Sequence, residues 1–451
     1  MSPPFSVPAI FVGLISLTFA TPGIAQTSST ELPSIKGTLT LMQTLQIGLK
    51  NNLMLSAVRE DINAALQETR IAKSQMRPQL SANVYTSFGD YGNILSSAGN
   101  VTPTNYLSVP SQGFADLNLT LMVPLYTNGR LQAGVRTARE RERATLADVG
   151  GVEQETMLRI TDAYYRTLLA GELAKTAQAR LDADNELVKN TQALFSAGKG
   201  LEASVLRSKA ERADAQRALT TSRNTERKAL LDLKTVMGVR LDSEIVPADT
   251  LTFTPLKNDL LTEIANAQKE RPELRAAKLR ASAFSGVTQS RQGAQGVQVY
   301  GMAMADGFTS GANRTREGYT VGLVVSLPVF DGGQRKAETS LARAQQRRAE
   351  AEARDLELRV ENEVRQAWLD VETAEENYRT AQSALLSAKS AYDVTTLRVQ
   401  NGKGLLVEQL DALASFTLAQ SNLAQSLYDH ALSVSRLRRA TGKPTLQKDQ
   451  R

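Results

Sequence analysis

The feature that most constrains this chain is a recurrence at one fixed spacing. Val123-Pro124-Leu125-Tyr126-Thr127-Asn128-Gly129 is answered by Leu327-Pro328-Val329-Phe330-Asp331-Gly332-Gly333, Gly198-Lys199-Gly200-Leu201 by Gly402-Lys403-Gly404-Leu405, and Gly238 by Gly442. Each pair is 204 residues apart (328 − 124, 402 − 198, 442 − 238). Self-similarity over so long a period predicts two copies of one structural unit in tandem. A further pair, Gln79-Leu80 and Gln298-Val299, is 219 apart (298 − 79), which leaves 219 − 204 = 15 residues of difference. That difference falls between two strands of each unit, where a surface loop tolerates it.

Within each unit the hydrophobic period changes in the same order. Residues 39–74 carry apolar side chains mostly three or four apart and predict a helix ending before Pro78. From Gln79 the period falls to two, a strand; residues 89–113 read as a polar loop with Gly and Pro, and Leu117, Leu119, Leu121 and Val123 alternate with Asp116, Asn118, Thr120 and Met122 in a second strand that ends at Pro124. Residues 131–196 contain no proline and predict one long helix, answered by another over 203–236. After a Pro-containing connector the programme returns: helix over 259–292 interrupted at Pro272, strands over 297–308 and 319–329, and helices over 335–399 and 407–440. The organisation expected is a signal peptide at 1–25, an extended segment at 26–38, a first unit at 39–240, a connector at 241–258, a second unit at 259–442 and a polar tail at 443–451.

The long helices have a partner requirement. Val364, Ala367, Val371, Ala374, Tyr378, Ala381, Leu385, Ala388, Tyr392, Thr395 and Val399 follow a seven-residue pattern, large and small in turn. A repeat of 3.5 predicts left-handed coiled-coil packing, and alanine at alternate seam positions lets neighbouring backbones approach. The strands have another requirement. Leu117, Leu119, Leu121 and Val123 correspond to Val321, Leu323, Val325 and Leu327, so one face of both is aliphatic while the other is mixed. Alternating segments of about ten residues mark outer-membrane β-barrels; the alternative is an antiparallel sheet on a soluble core. Four strands cannot close a barrel, so several chains would have to share one, and of two or three copies only three, with twelve strands, leave a channel. The fold class expected is therefore mainly α with membrane β: long coiled-coil helices and four strands per chain in two tandem repeats, with the strands of several chains sharing a short barrel that carries a long helical tube.

Composition narrows the chemistry. With no Cys and a single His, His430, the chain lacks thiol nucleophiles, disulfides, zinc clusters and most His-based acid–base catalysis. No cofactor or metal is expected, and a net charge of +6 spread over mixed-sign helices without aromatic platforms argues against nucleic acid. A short apolar run at residues 7–20, followed by small residues up to Ala25, reads as a signal peptide. No Cys follows it to take a lipid anchor, and no segment approaches a transmembrane helix in length.

The residues now resemble a known family. Two rounds of helix, strand, loop, strand, a Pro-Leu-Tyr or Pro-Val-Phe break, a long helix, a Gly turn and a returning helix are similar to the TolC family of outer-membrane efflux and secretion channels, over essentially the whole mature chain. The resemblance implies a homotrimer in outer-membrane lipid, with a helical tunnel in the periplasm. It further implies a passive exit duct, not an enzyme, that serves an inner-membrane pump through a periplasmic adaptor, in tripartite efflux or type I secretion. In the family, acids on the second returning helix constrict the pore at the tunnel's far end, and Glu408 and Asp411 match that place. Their spacing of three puts them on one helical face; the bland reading is a pair of solvated acids near a helix start. The turns Gly198, Lys199, Gly200 and Gly402, Lys403, Gly404 would be the helix tips that meet the adaptor. The family's Tyr, Arg and Asp lock is not matched: Val399, Gly404 and Ser204 stand there, leaving closure to other contacts such as Glu202, Lys199 or Lys403. Two rivals remain: a periplasmic coiled-coil adaptor or structural component of an export complex, and a carboxylate enzyme built on Glu408 and Asp411.

Overall fold

The computed structural model describes residues 31–87, 114–257, 259–310, 314–401 and 403–443. The segment read as a signal peptide, the loop at 89–113, Gly402 and nearly all of the expected tail lie outside them.

The first half runs β1 (Lys36–Leu39), α1 (Leu41–Asn51), α2 (Leu53–Ser74), β2 (Gln79–Ser87), β3 (Phe114–Tyr126), α3 (Arg130–Ser196) and α4 (Glu202–Met237). The second half runs β4 (Glu244–Pro247), α5 (Leu260–Glu270), α6 (Pro272–Gly293), β5 (Gln298–Ser310), β6 (Arg314–Ser326), α7 (Gln334–Gln400) and α8 (Leu406–Ala440). The order of elements is the same in both.

Local chemistry explains the breaks. The helix expected over 39–74 is two helices, because Asn52 adopts an extended backbone and its side chain accepts from the Leu55 amide at 2.9 Å, capping α2. In the second half Arg271 occupies the corresponding joint, extended because Pro272 follows it. Both joints are tied to the end of a returning helix: Asn52 Nδ2 donates to the Val236 carbonyl at 2.8 Å, and Arg271 donates to the Ala440 carbonyl at 3.4 Å. A capping box of Thr40 and Gln43 starts α1.

The segment expected to be a bare connector contains β4, which pairs in parallel with β1 from the extended N-terminal stretch. This two-stranded strap closes over a core of Leu39, Tyr164, Leu233, Met237 and Ile245. Four-residue strands carry too little periodicity to be read from sequence.

The other four strands form one antiparallel sheet in the order β2-β3-β5-β6. Strand β3 runs on through Pro124 to Tyr126 instead of stopping there, with a register shift between those residues that absorbs the missing N–H. The register places Leu80, Leu121, Ala303 and Val321 side by side across all four strands, and Ser81, Thr120, Met304 and Thr320 likewise on the opposite face. The aliphatic face is not turned into a core: Leu80 is 72%, Val321 76% and Leu323 68% exposed. No described helix is long and apolar enough to cross a membrane.

Helices α3 and α7 each have 67 residues, about 100 Å at 1.5 Å per residue. Each turns at its C-terminus into an antiparallel partner, α3 with α4 and α7 with α8, and α3 also packs on α2, α6 and α8. The seven-residue seam of α7 faces inward throughout: Val364, Ala367, Val371 and Ala374 are buried, and Tyr378, Ala381, Leu385, Ala388, Tyr392, Thr395 and Val399 are half-buried between exposed neighbours. Nearer the sheet, Val360, Val364 and Val371 join Ile264, Ala267 and Leu437 in one cluster.

Candidate pore gate at the helix tips

Each hairpin ends in the same turn for the same reason. The Lys199 amide reaches back to the Leu194 carbonyl at 2.9 Å, and the Lys403 amide to the Arg398 carbonyl at 2.8 Å, satisfying the last carbonyls of α3 and α7. Gly198 has φ of 72°, a left-handed conformation that favours glycine. The second glycine of each turn is needed for space: a Cβ on Gly200 would sit 3.0 Å from the Phe195 nitrogen, and one on Gly404 would sit 3.1 Å from the Val399 nitrogen. Gly198, Lys199 and Gly200 thus lie together at one tip, and Lys403 and Gly404 at the other.

Beyond Gly404 the chain enters α8, and its first turn sorts the side chains. Gln409, Leu410 and Leu413 are buried against α7, with Gln409 Nε2 donating to Thr396 Oγ1 at 3.3 Å. Glu408 is half-buried, and its Oε2 accepts from the Leu405 amide at 3.4 Å, closing the helix start. Asp411, one turn on, is exposed and makes no hydrogen bond or ion pair among the described residues. The two acids therefore differ: Glu408 is partly committed to its own helix, whereas Asp411 is free. Ser204 and Arg207 hold the matching places on α4.

The structure brings none of the suggested closing residues together. Lys199, Glu202 and Lys403 are exposed, and among the described residues none of their side chains has a partner. Other contacts hold the tips. Tyr392 and Phe416 stack across α7 and α8 with centroids 5.7 Å apart, and Thr191 and Ser208 share a buried hydrogen bond of 2.9 Å across α3 and α4. Tyr392 was legible as a seam position; Phe416, Thr191 and Ser208 carried no signal apart from their place on a helix. No group of His, Cys, Asp or Glu able to hold a metal ion occurs among the described residues.

An open-edged antiparallel sheet with an exposed aliphatic face, carried on helices of up to 67 residues, about 100 Å, fits a channel protein of the bacterial outer membrane. The chain belongs to the outer membrane efflux protein family, whose profile matches residues 44–239 and 264–443. It is 24% identical to the outer membrane efflux protein BepC of Brucella suis biovar 1 over 418 residues, which cover 90% of this chain and 86% of that one. It is 24% identical over 415 residues to the alkaline protease secretion protein AprF of Pseudomonas aeruginosa, covering 89% and 84% respectively. Among solved structures, the outer membrane protein VceC of Vibrio cholerae superposes with a TM-score of 0.74 at 18% identity, over 90% of this chain and 97% of that one. The relatives and neighbours are outer-membrane channel and secretion proteins, and none of those compared is named as an adaptor or an enzyme. The protein is placed in the outer membrane, with its helical part in the periplasm.

Proposed function

We propose that this protein is a passive exit duct, two tandem repeats per chain and three chains per channel, gated at its periplasmic end by Glu408 and Asp411. The observation that carries the reading is the sheet. Its outer strands, β2 and β6, have no partner on one side among the described residues, an arrangement that β-sheets avoid unless another strand docks there. Docking β6 of one chain on β2 of the next closes twelve strands, with the aliphatic face toward lipid. The hairpins then leave the barrel as a tunnel, and threefold symmetry gathers six carboxylates at its mouth.

Cargo moves down a gradient set elsewhere, by an inner-membrane pump joined through a periplasmic adaptor that meets the turns at Gly198–Gly200 and Gly402–Gly404. The names of AprF and BepC point respectively to secretion and efflux, and both remain open for this chain.

Asp411, with no competing partner, is the stronger element of the ring, and Glu408 is held by its cap. Replacing both, Glu408→Ala with Asp411→Ala, is expected to change single-channel conductance in planar bilayers and to weaken block by multivalent cations. Asp411→Ala alone should account for the larger part. Unchanged conductance and block in the double variant would remove the acidic ring.

A further inference from the structure

Among the described residues, the main contact between the two hairpins of one chain is α3 against α8. Toward the sheet that seam is heavily tied: Arg439 pairs with Glu155 at 3.3 Å, and Gln154 donates to the Gly442 carbonyl at 3.0 Å. Farther toward the tips one polar cluster remains. Tyr428 of α8, 7% exposed, donates its hydroxyl to Asp162 Oδ1 of α3 at 2.6 Å. Arg166, one turn along α3, completes the triangle: its Nε donates to the same carboxylate oxygen at 3.0 Å and to the Tyr428 hydroxyl at 3.1 Å, and its Nη2 lies 2.9 Å from Asp162 Oδ2. Among the described residues, no hydrogen bond or ion pair joins the two hairpins beyond this point.

From Tyr428 to the start of α8 is about 33 Å of helix, and from Arg166 to the end of α3 about 45 Å. Over that length the polar ties run within each hairpin, Arg180 to Glu211 and Thr191 to Ser208 in the first and Gln409 to Thr396 in the second. We propose that Tyr428, Asp162 and Arg166 form a clasp that fixes where the hairpins begin to part, and so sets how readily the tips open. These are positioning residues: they lie far from the acids at the tip and act on them through the length of helix between.

Three observations single the cluster out. The O–H···O contact to an ionised carboxylate is short, in the range of charge-assisted bonds. Burial, followed by the bond to Asp162, holds the Tyr428 hydroxyl above its ordinary pKa, so it keeps the proton it donates. Lastly, the cluster occurs once per chain: at the spacing of 204 that relates the halves, the matching residues are Gln366, Asp370 and Asn224, which cannot rebuild it. An adjacent contact anchors the same turn of α3, for Tyr164 is fully buried with its hydroxyl 2.9 Å from the Leu39 carbonyl and 2.8 Å from Asp249 Oδ2. The clasp therefore holds α8 to a stretch of α3 that is itself fixed to the strap.

The inference rests on the duct reading, and one experiment separates the two. Tyr428→Phe removes a single oxygen and keeps the ring; Asp162→Asn keeps the shape and removes the charge. In full-length trimers reconstituted in planar bilayers, each is expected to raise open probability about tenfold, the factor that 1.4 kcal/mol represents. Because the groups act as a unit, the double variant should add little to either single one. The absence of native Cys allows a rescue: Asp162→Cys with Tyr428→Cys, joined by a short bifunctional maleimide, should return open probability to the wild-type level. Open probabilities within twofold of wild type in both single variants, or no effect of the cross-link, would overturn the clasp. A wild-type trimer that carries no current at any voltage would overturn the duct reading instead.

Discussion

The two helical hairpins are built on one plan and differ in where they find their packing. In α3 fully buried residues continue almost to the tip, through Ala177, Leu181, Asp184, Leu187 and Thr191, whereas in α7 the last is Ala374 and the remaining seam is only half-buried. The first hairpin is closed on itself, with a cluster of Ala177, Leu181, Ala215 and Leu219 between its helices. The second offers a seam that is still partly open along α7. The long helix of the first hairpin is thus packed almost to its tip, and that of the second is not.

The largest test of that contrast is a matched pair of core truncations. Leu219, 3% exposed in α4, corresponds to half-buried Leu423 in α8 (219 + 204). Leu219→Ala is expected to destabilise by about 2–5 kcal/mol, and Leu423→Ala by about 1 kcal/mol, since fewer methylenes leave a packed site. Thermal unfolding followed by helical circular dichroism in detergent would show it. Equal losses in both variants would mean that the two walls are equally packed.

Next in size is a buried charge found only in the first hairpin. Asp184 is 1% exposed, both carboxylate oxygens lack a hydrogen-bond partner among the described residues, and Arg180 is 3.7 Å away. Burial raises its pKa from the ordinary 3.8, Arg180 opposes this, and Glu211 across the seam adds to it. The folded state therefore holds the proton at pH values where the unfolded chain has lost it. That contribution is fully present below 3.8 and is lost as pH rises through the folded-state value. Asp184→Leu is expected to stabilise the hairpin by about 1–3 kcal/mol at neutral pH and to flatten its acid dependence. The second hairpin has Ala388 at this place. A melting temperature of Asp184→Leu that still changes with pH as in the parent chain would show that the acid response arises elsewhere.

What could be read from the sequence follows from these cases. The long helices were legible because a seven-residue pattern sustained from Val364 to Val399 and a proline-free run of 66 residues (131–196) leave few alternatives. The strand faces were legible because every second residue over 117–123 in β3 and 321–327 across β6 is aliphatic, although Met122 and Val324 interrupt the opposite face. Pro272 announced one helix joint, but Asn52 builds the same joint with a side-chain cap, and an Asn within an apolar period gives no warning. Strands β1 and β4 were hidden because each is four residues long and pairs across more than two hundred residues. The tip was located by its glycines, while Tyr428, Asp162 and Arg166 depend on which helix turns face one another, a property of packing that no local pattern records.

A smaller effect tests the tip itself. Thr191 and Ser208 share a buried hydrogen bond in the first hairpin, and the matching residues of the second are Thr395 and Ala412, which cannot form it. Thr191→Val should cost about 1 kcal/mol by leaving the Ser208 hydroxyl without this partner. Ala412→Ser in the second hairpin should recover a fraction of that by creating the pair. Hydrogen exchange of amides near the two turns would report both changes separately, and an unchanged first hairpin in Thr191→Val would show that the hydroxyl pair contributes nothing.

The smallest expected effect runs opposite to that of Asp184. His430 of α8 is 2% exposed, and neither ring nitrogen has a hydrogen-bond partner among the described residues. Phe253, from the segment that follows β4, packs on it at 4.6 Å and stacks on Tyr378 of α7 at 4.1 Å. Glu375 Oε1 lies 3.9 Å from Nε2, but that carboxylate already accepts from the Leu256 amide at 2.8 Å and pairs with Arg379 at 3.5 Å. Burial lowers the imidazole pKa from 6.5 more than Glu375 raises it. With a depressed folded-state value, the contribution is present above 6.5 and is lost as pH falls through the folded-state value, because protonation charges a buried ring packed on Phe253. Acid should thus tighten the first hairpin through Asp184 and loosen the base of the second through His430. The second effect is held to about 1 kcal/mol or less by the attraction of Glu375. His430→Phe should keep the stack on Phe253 and abolish the loss between pH 7 and pH 5, read as protease resistance of the segment around Phe253. If the parent chain shows no loss over that interval, the contrast in acid response rests on the first hairpin alone.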